Sequence, residues 1–427
     1  MDLEIIHEAA CGLDVHFAVV AACLARSGPK GGPKYEEGRF PTTQAGLREL
    51  KEWLLGAGCQ TVGMEATGVY WMPVYAALEG DFNLVVGNPQ HMKNLRGHKT
   101  DRKDARWIAG LVRHGLIGAS FVPPPEFREA RELTRFRRQL IHARSSMRNE
   151  VLRLLARHGI TLSDVLTNVF GASGMAILEA LSEGRSVVTE LPHLIHGSVK
   201  GKLGALTAAL EAPLPEISRR LLGIQMKRLE EAEERIGEVE ALIAGQMAPH
   251  QKQVDQLLKI PGISQTSCCI ILAELGVDMK VWPTDKHIAA WAGVAPGSRE
   301  SAGKRLSTAT RKGNVHLTTI LMECAGAAVR TKGCHLGVKF QRLKARMGYK
   351  KALMAIARKL LLIIYRVLGG NADYKEPRTH QRRCQGQAPR HPETRQGPPE
   401  PRIRCHSYGL AGGIKNCTLF SSSDWLS

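Results

Sequence analysis

The sequence has no uninterrupted apolar run of about 20 residues, the length that a membrane-spanning helix requires. Its longest candidate, ALMAIARKLLLIIYRVL, is interrupted by charged residues. The N-terminal stretch MDLEIIHEAACGLDVH is acidic and lacks the basic segment that begins a signal peptide. These features exclude an integral membrane protein and predict a cytoplasmic location.

Paired cysteine motifs are also absent. The chain has 10 cysteines, but none of them forms a CxxC pair, so the spacing favours neither a structural zinc site nor a disulfide framework. Cys268 and Cys269 are adjacent in an apolar stretch, which predicts core positions. His193 and His196 in HLIH have ligand-like spacing but no further ligands nearby, so they do not predict a metal site.

Acidic residues are scarce relative to basic ones. The chain of 427 residues has 40 Asp and Glu against 59 Lys and Arg, which gives a formal net charge of +19. A balance this basic favours a polyanionic partner, most simply DNA or RNA, with an anionic membrane surface as the competing partner. The length allows two or three domains, each with its own core.

Residues 1–122 alternate between strand-like and helical patterns. The segments GLDVHFAVVAACLA, QTVGMEATG and FNLVVGNP have the apolar, β-branched composition of buried strands. Between them, AGLRELKEWLLGAG and VYWMPVYAALEG have helical periodicity. This alternation predicts an α/β domain, and VPPPEF at 122–127 predicts a hinge after it.

Residues 123–250 predict two long helices. The first carries a near-heptad apolar stripe, and the second carries another with one slip in register. The stripes are Leu133, Phe136, Leu140, Ala143, Met147, Val151 and Leu154, then Ile217, Leu221, Ile224, Leu229, Ala232, Ile236, Val239 and Ile243. They predict either an antiparallel coiled-coil arm, or half of a dimer contact, or ordinary bundle packing.

The other faces of the first long helix are rich in arginine. Its arginines are Arg128, Arg131, Arg135, Arg137, Arg138, Arg144, Arg148 and Arg153. We expect Arg135 and Arg138 to contact nucleic acid, although a solvated coiled-coil face would have a similar composition.

Residues 251–374 predict a third, mainly helical domain. It begins with IPGIS between two helical segments, the pattern of a helix-hairpin-helix whose backbone N–H groups can bind phosphate, or of a purely structural turn. From 375 to 427 the low apolar content and the Pro, Arg and Gln bias predict disorder.

Four acids stand at unusual places. Asp14 lies within a predicted strand and Glu65 at the end of another, while Asp101 and Asp104 are three apart in KTDRKDA and share a helix face. A salt-bridged first turn of a helix would also explain the last pair. Grouped carboxylates repel one another unless a cation binds them, and Mg²⁺ prefers hard oxygen ligands.

The acids therefore predict a Mg²⁺ site, with two ions that would flank a phosphodiester about 4 Å apart. Lys99, Arg102 and Lys103 surround the helical pair and predict contacts to the anionic strand. The composition thus indicates a metal-dependent enzyme that acts on nucleic acid.

Several long segments closely resemble the DEDD-type transposases of bacterial insertion-sequence family 110. The resemblance rests on GLDVH, GMEATGVYW, NPQHMKNLRGHKTDRKDARWIAGLVRHGLI and ELTRFRRQLIHARSSMRNEVLRLL, and downstream on IPGISQTSCCIILAELG, WAGVAPGSRESAGKR and RKGNVHL. It covers roughly residues 10–372, and the tail after about residue 370 does not match.

The resemblance implies an RNase H-like, resolvase-like N-terminal domain whose metal ligands are Asp14, Glu65, Asp101 and Asp104. It also implies a C-terminal transposase domain in which Ser301 of ESAGKR is the catalytic serine. Such proteins are recombinases that excise and insert their element, that are guided to DNA by a structured non-coding RNA, and that assemble as tetramers of two dimers.

Sequence chemistry alone leaves Ser301 as one of several nearby serines, with Ser298 and Ser307 close by. Ala302 and Gly303 would let a phosphate approach, and Lys304 and Arg305 could bind its oxygens. Two rival hypotheses remain: a resolvase-like, structure-specific nuclease that uses metal-activated water, and a non-enzymatic nucleic-acid-binding protein. The chain is predicted to form a homo-oligomer, either a dimer or a tetramer.

Overall fold

A computed structural model describes residues 4–28, 32–92, 104–297, 299–301, 304–307, 309–310, 312–370 and 373–377, without the side chains of 90, 299–301 and 304–307. Among these residues, no helix is both long enough and apolar enough to cross a membrane.

The N-terminal part is built on one mixed sheet of five strands. The strands are β1 Ala9–Val15, β2 Val19–Ser27, β3 Pro33–Pro41, β4 Thr61–Glu65 and β5 Asn83–Gly87. Their spatial order is β3-β2-β1-β4-β5, with β2 antiparallel to β1 and β3, and with β4 parallel to both β1 and β5. The α/β prediction for this part of the chain is confirmed.

Helices cover both faces of this sheet. They are α1 Gln44–Gly56, α2 Trp71–Leu78, α3 Pro89–Met92 and α4 Asp104–Arg113. Leucines of α1 and α2, including Leu50 and Leu78, pack with Leu13 and Met64 on one face. On the other face, Ile108 of α4 packs against Ala10 of β1. The sheet is therefore buried on both sides, which accounts for the apolar character of its strands.

The rest of the described chain is mostly helical. Its helices are α5 Pro125–Ala156, α6 Leu162–Val165, α7 Ala172–Glu183, α8 Val187–Leu194, α9 Leu203–Ala209, α10 Glu216–Met247, α11 Gln251–Leu258, α12 Gln265–Leu275, α13 Asp285–Trp291, α14 Val315–Arg330, α15 His335–Met347 and α16 Tyr349–Gly370. A small hairpin of β6 Arg299–Ser301 and β7 Lys304–Ser307 lies between α13 and α14.

The helices α5 and α10 are each 32 residues long and pack side by side. Arg137 bonds to Glu240, and Arg144 and Arg148 bond to Glu233. Because the residue numbers rise along one helix as they fall along the other, the helices run antiparallel within a single chain. This arrangement agrees with the predicted arm, while a supercoil with coiled-coil packing stays a prediction.

The apolar stripe of α10 is only partly buried. Leu229, Ile236 and Ile243 lie in the interior, as predicted. The first positions of the stripe, Ile217, Leu221 and Ile224, are exposed, and Leu222 is buried in their place. The buried face changes at the slip in register before Leu229, because the first part of α10 turns a different side toward α7 and the core around Val151. The dimer-contact alternative for the exposed positions stays a prediction.

The base of the arm shares a core with the C-terminal helices. Phe127 and Ala130 of α5 are buried in the same apolar cluster as Met247 of α10, as are Cys268 and Cys269. The prediction that these two cysteines belong to the core is confirmed.

The turn between α11 and α12 lies against the backbone of α14. Gly262 has φ +86°, and a Cβ at this position would clash with the carbonyl oxygen of Cys324 and the backbone nitrogen of Ala328. Ser264 caps α12 in a reciprocal capping box with Ser267. This tight packing favours the structural-turn alternative for IPGIS, and phosphate binding there stays a prediction.

The first residues of the predicted tail contact α15. Glu376 accepts hydrogen bonds from the His335 backbone N–H and from the Tyr374 hydroxyl, both at 2.6 Å. The remainder of the predicted disordered segment, 378–427, lies outside the described residues.

Candidate active site

Asp14 and Glu65 lie side by side at the carboxyl ends of β1 and β4, two adjacent parallel strands in the interior of the sheet. The parallel register pairs Leu13 of β1 with Met64 of β4, so each acid is the next residue on its strand. Leu13 and Met64 are buried on the face that α1 and α2 cover. Because side chains alternate along a strand, the two carboxylates project toward the opposite face, which α4 covers.

Two glycines bring α4 close to these acids. A Cβ at Gly12 of β1 would clash with the carbonyl oxygen of Ala105, and a Cβ at Gly63 of β4 would clash with the side chain of Val112. Both glycines lie two residues before an acid, on the same face of the sheet. Their lack of a side chain lets the first turn of α4, which begins at Asp104, approach the ends of β1 and β4.

The three described acids interact electrostatically. Partial burial raises the pKa of Asp14 above its ordinary value, and the negative charges of Asp104 and Glu65 raise it further, while the nearby His16 lowers it. The effects of Asp104 and Glu65 on Asp14 are the mutual repulsion that grouped carboxylates experience. The structure thus brings together Asp14, Glu65 and Asp104, whereas Asp101 lies outside the described residues.

Two neighbouring side chains complete the site, and neither was predicted. His16 Nε2 donates to Asp14 Oδ2 at 3.1 Å, and the Thr67 hydroxyl donates to Glu65 Oε1 at 3.0 Å. Each partner is two residues beyond its acid. For His16 the strand period of two would have been a usable signal, because alternate residues share a face.

This donor set suits a divalent cation. Carboxylate oxygens are the ligands that hard divalent ions prefer. A cation would also offset the burial of the Asp14 carboxylate and its repulsion by Asp104 and Glu65, which together raise the pKa of Asp14. Among the described residues, three ligand atoms lie within 4.8 Å of one another only in the group Cys334, His335 and Glu376. The oxygens of the three acids are therefore more widely spaced, so one ion could not bind all three without a side-chain movement.

The predicted serine lies on the hairpin of β6 and β7. Ser301 is the last residue of β6 and pairs across the hairpin with Lys304, while Arg305 pairs with Glu300. Ala302 and Gly303 lie outside the described residues. The backbone register therefore pairs Ser301 with Lys304, and the roles of both residues in phosphate chemistry stay predictions.

The base of this hairpin is held by backbone contacts to the C-terminal core. Gly297 N–H donates to the Ala309 carbonyl at 2.9 Å, and Asn314 N–H donates to the Trp291 carbonyl at 3.2 Å. Asn314 also caps α14 through its side-chain oxygen. Hydrogen bonds thus hold the chain on both sides of the hairpin.

Asn314 connects this support to a buried ion cluster. Its amide donates to Glu274 at 2.7 Å, and the Glu274 carboxylate also pairs with Arg135 at 2.9 Å and Arg131 at 3.1 Å. Arg135 is thereby engaged by a carboxylate, so a nucleic acid would have to share this guanidinium.

Arg138 lies beside the same cluster without a carboxylate partner among the described ion pairs. Its Nε contacts His142 at 3.5 Å. Burial lowers the pKa of His316, and the positive charges of Arg135 and Arg138 lower it further. A group of cations therefore faces the start of α14. Nucleic-acid contacts by Arg135 and Arg138 stay predictions, and Lys99, Arg102 and Lys103 lie outside the described residues.

Six of the eight arginines of α5 are paired with carboxylates. Their partners are Glu79 for Arg128, Glu274 for Arg131 and Arg135, Glu240 for Arg137, and Glu233 for Arg144 and Arg148. The arginine-rich helix therefore uses much of its charge to hold neighbouring helices.

A different cationic surface lies on α15 and α16. Residues 324–372 contain 11 Lys and Arg and no Asp or Glu. Lys339, Arg342 and Arg346 are exposed at spacings of three and four, which puts them on one face of α15. Burial lowers the pKa of Lys359 on α16, and the charges of Lys339 and Arg366 lower it further. We call Lys339, Arg342, Arg346, Lys359 and Arg366 the α15–α16 basic surface.

Two family models match separate segments of the chain. A family model for the DEDD-type IS110 transposase matches residues 11–160, and a model described as "Transposase IS116/IS110/IS902 family" matches residues 254–337. The first segment contains all four predicted acids, and the second contains Ser301. Together the two models cover more than half of the chain.

Curated relatives extend over most of the chain. A "Probable family 20 transposase" of Pseudomonas aeruginosa is 26% identical over 321 residues, which are 74% of this chain and 85% of the relative. The "Transposase for insertion sequence element IS1111A" of Coxiella burnetii is 25% identical over 328 residues, which are 75% of this chain and 80% of the relative.

Among solved structures, a Fowlpox virus resolvase in complex with substrate Holliday junction DNA matches 24% of this chain and 72% of its own, with 13% identity and a TM-score of 0.18.

Proposed function

The chain is an IS110-family DNA transposase that carries the family's two domains, and we propose that it cleaves and rejoins DNA through a serine nucleophile beside a Mg²⁺ site. The observation that carries the proposal is the grouping of Asp14, Glu65 and Asp104 on one face of the sheet. The sheet order β3-β2-β1-β4-β5 is compatible with an RNase H-like domain.

The acids would hold two Mg²⁺ ions, with Asp101 as the fourth ligand. When bound, these ions would supply charge stabilisation for the phosphoryl oxygens and the leaving oxygen. Asp14, Glu65 and Asp104 would direct their carboxylates toward these ions. His16 and Thr67 donate hydrogen bonds to Asp14 and Glu65, which would orient these two carboxylates.

Ser301 would attack the scissile phosphorus with its hydroxyl oxygen. The serine loses its proton as the new O–P bond forms, the P–O3′ bond breaks, and the departing 3′ oxygen takes up a proton. The product is a phosphoserine ester that retains the phosphodiester energy, so a second 3′ hydroxyl can reverse the step on a new partner. Lys304 lies opposite Ser301 and would bind the phosphoryl oxygens together with Arg305.

DNA would be held by cations that have no internal carboxylate partner. The α15–α16 basic surface supports this part of the proposal, because among its members only Arg366 has a carboxylate partner in the described ion pairs, Asp285 at 3.9 Å. The charges of Lys339 and Arg366 lower the pKa of Lys359, and a polyanion would relieve this repulsion. Guidance by a structured RNA is implied by the family resemblance, and a net charge of +19 is compatible with two nucleic-acid partners.

Assembly as a dimer or tetramer is part of the same proposal. The exposed stripe of Ile217, Leu221 and Ile224 on α10 supports it, because three apolar side chains at helical spacing on one face are a common feature of helix–helix interfaces. Ser301 and the acids lie on different domains, so oligomerisation would offer a second route by which they could meet on one phosphodiester.

The second candidate is a resolvase-like nuclease in which activated water attacks the phosphorus. It requires the same acids, and it would release a free phosphate end instead of a protein-linked one. The transposase relatives favour the recombinase, because rejoining conserves the bond that hydrolysis would discard.

Trapping the intermediate distinguishes the two mechanisms. Wild-type protein is incubated with Mg²⁺ and a labelled DNA junction, denatured, and analysed for protein-linked label, with Ser307→Ala as the control for a neighbouring serine. We expect an adduct with wild type and with Ser307→Ala, and none with Ser301→Ala although it binds DNA normally. Cleavage by Ser301→Ala at the wild-type rate would favour the water mechanism.

A further inference from the structure

Two aromatic side chains project into solvent beside the acid cluster. Phe17 is 78% exposed at the tip of the hairpin between β1 and β2, and Tyr70 is 42% exposed just before α2. Their ring centroids are 5.9 Å apart in an edge-to-face arrangement with an interplanar angle of 75°. Val69 and Met72 are exposed nearby in sequence. Exposed apolar rings are costly to hydrate, and a group of them on the surface is typical of a site that binds a partner.

The backbone holds both rings in place. The hairpin that carries Phe17 is closed by a hydrogen bond from His16 N–H to the Val19 carbonyl at 3.0 Å. Gly68, with φ +59°, turns the chain between β4 and Tyr70. The two rings are in edge-to-face contact, while most of the Phe17 ring stays accessible to solvent. The two rings therefore form an apolar platform on turns whose backbone conformation is defined.

The two rings of the platform are close along the chain to the acids of the proposed metal site. Phe17 is three residues beyond Asp14, so their Cα atoms are at most about 11 Å apart. Tyr70 is five residues beyond Glu65 on the loop that follows the adjacent strand. At about 3.4 Å per nucleotide along a duplex strand, the platform lies within roughly three base steps of a phosphate held by the acids.

We propose that Phe17, braced by Tyr70, is a stacking site for an unpaired nucleobase next to the scissile phosphate. Aromatic rings stack on any base without sequence preference, and apolar side chains inserted at a base step unstack and kink a duplex. The platform would thus hold open the strand that the acid site receives. This inference rests on the proposed function for its location, but base stacking itself needs neither Ser301 nor a metal ion.

The test measures affinity for DNA without a divalent ion, so that cleavage plays no part. The full chain is titrated with a duplex that contains a one-nucleotide bulge and with the matched intact duplex. The variants are Phe17→Ala, Phe17→Trp, Tyr70→Ala, and Phe136→Ala as a matched control. Phe136 is an exposed phenylalanine on α5, a different element from those that carry Phe17 and Tyr70.

Wild type, Phe17→Trp and Phe136→Ala should prefer the bulged duplex, and Phe17→Ala should reduce its affinity for bulged DNA by about 5- to 100-fold. Tyr70→Ala should have a smaller effect.

Equal affinity of wild type and Phe17→Ala for the bulged duplex would overturn the inference. An unchanged preference accompanied by a smaller oligomer for Phe17→Ala would also overturn it and assign the platform to a second copy of the chain. If bulge preference behaves as expected but no strand cleavage is found with Mg²⁺, the proposed function fails and the stacking site stands.

Discussion

The carboxylate of Glu274 has no exposed surface and pairs with Arg135 at 2.9 Å. It also accepts from Asn314, which caps the helix after the Ser301 hairpin. One buried acid therefore links α5, α12 and the support of the serine segment. Burial raises the pKa of Glu274, but hydrogen bonds and charges from Arg135 and Arg131 outweigh burial, and the net pKa is lowered.

Glu274→Gln should destabilise the protein by about 3 kcal/mol at pH 7, because it leaves two buried or half-buried guanidinium groups without their counter-charge. The pKa of Glu274 is lower in the folded state than in the unfolded one, so its stabilisation is complete above about pH 4.5 and is lost as pH falls through the folded-state pKa. Urea midpoints at pH 7 and pH 4 measure both effects. We expect the two midpoints to differ less in Glu274→Gln than in wild type, and an equal difference would contradict this role.

Asp14→Asn should remove strand cleavage while the fold persists. In the absence of metal, the melting temperature should be unchanged or higher, because a neutral amide is less costly to bury than the Asp14 carboxylate and is not repelled by Asp104 and Glu65. Cleavage of a labelled junction and thermal unfolding in EDTA are the measurements. Glu37→Gln, an exposed acid on β3 of the same sheet, is the control and should cleave normally. Full cleavage by Asp14→Asn would place the metal site elsewhere.

The triple change of Lys339, Arg342 and Arg346 to Gln should weaken DNA binding and reduce its salt dependence. Each lost phosphate contact should lower the slope of log affinity against log salt concentration by up to about 0.9. The control is the same change at Arg137, Arg144 and Arg148 of α5, which pair with Glu240 and Glu233. If the control reduced the slope as much as the α15 variant, the arginine-rich helix would be the binding surface instead.

Changing Ile217, Leu221 and Ile224 together to Ser should reduce the oligomer mass measured by light scattering, without a loss of folded monomer. All three are exposed, so little packing within the chain is lost. Leu242→Ser, at an exposed position further along the same helix, should leave the mass unchanged. An unaltered mass in the triple variant would remove α10 from the interface.

A chain that ends at residue 377 should be as stable as the full chain, whereas one that ends at 374 should be less stable by about 1 kcal/mol. The shorter chain lacks Glu376, so the His335 backbone N–H at the start of α15 loses its acceptor. Urea unfolding of the two truncated chains measures the difference. Equal stability would show that the Glu376 contact contributes little.

Local pattern was sufficient to predict the α/β part and the two long helices. The strands that contain Asp14 and Glu65 are short apolar runs, and the long helices carry apolar stripes at helical spacing. The pattern of apolar residues is therefore sufficient to predict both kinds of element. The acids were also visible, because a carboxylate at the end of a buried strand needs a compensating partner. His16 could have been found in the same way.

Tertiary structure decided the relationships that join distant residues. The approach of Phe17 to Tyr70, the convergence of Arg131, Arg135 and Asn314 on Glu274, and the face that α10 buries before Leu229 all depend on which elements pack together. An exposed phenylalanine and a buried glutamate have no local signature, because the free energy of each is set by neighbours far away in the chain. The sequence therefore determined which acidic, basic and aromatic side chains the protein has. Tertiary packing determined which of these side chains are paired within the chain and which stay exposed to bind a partner.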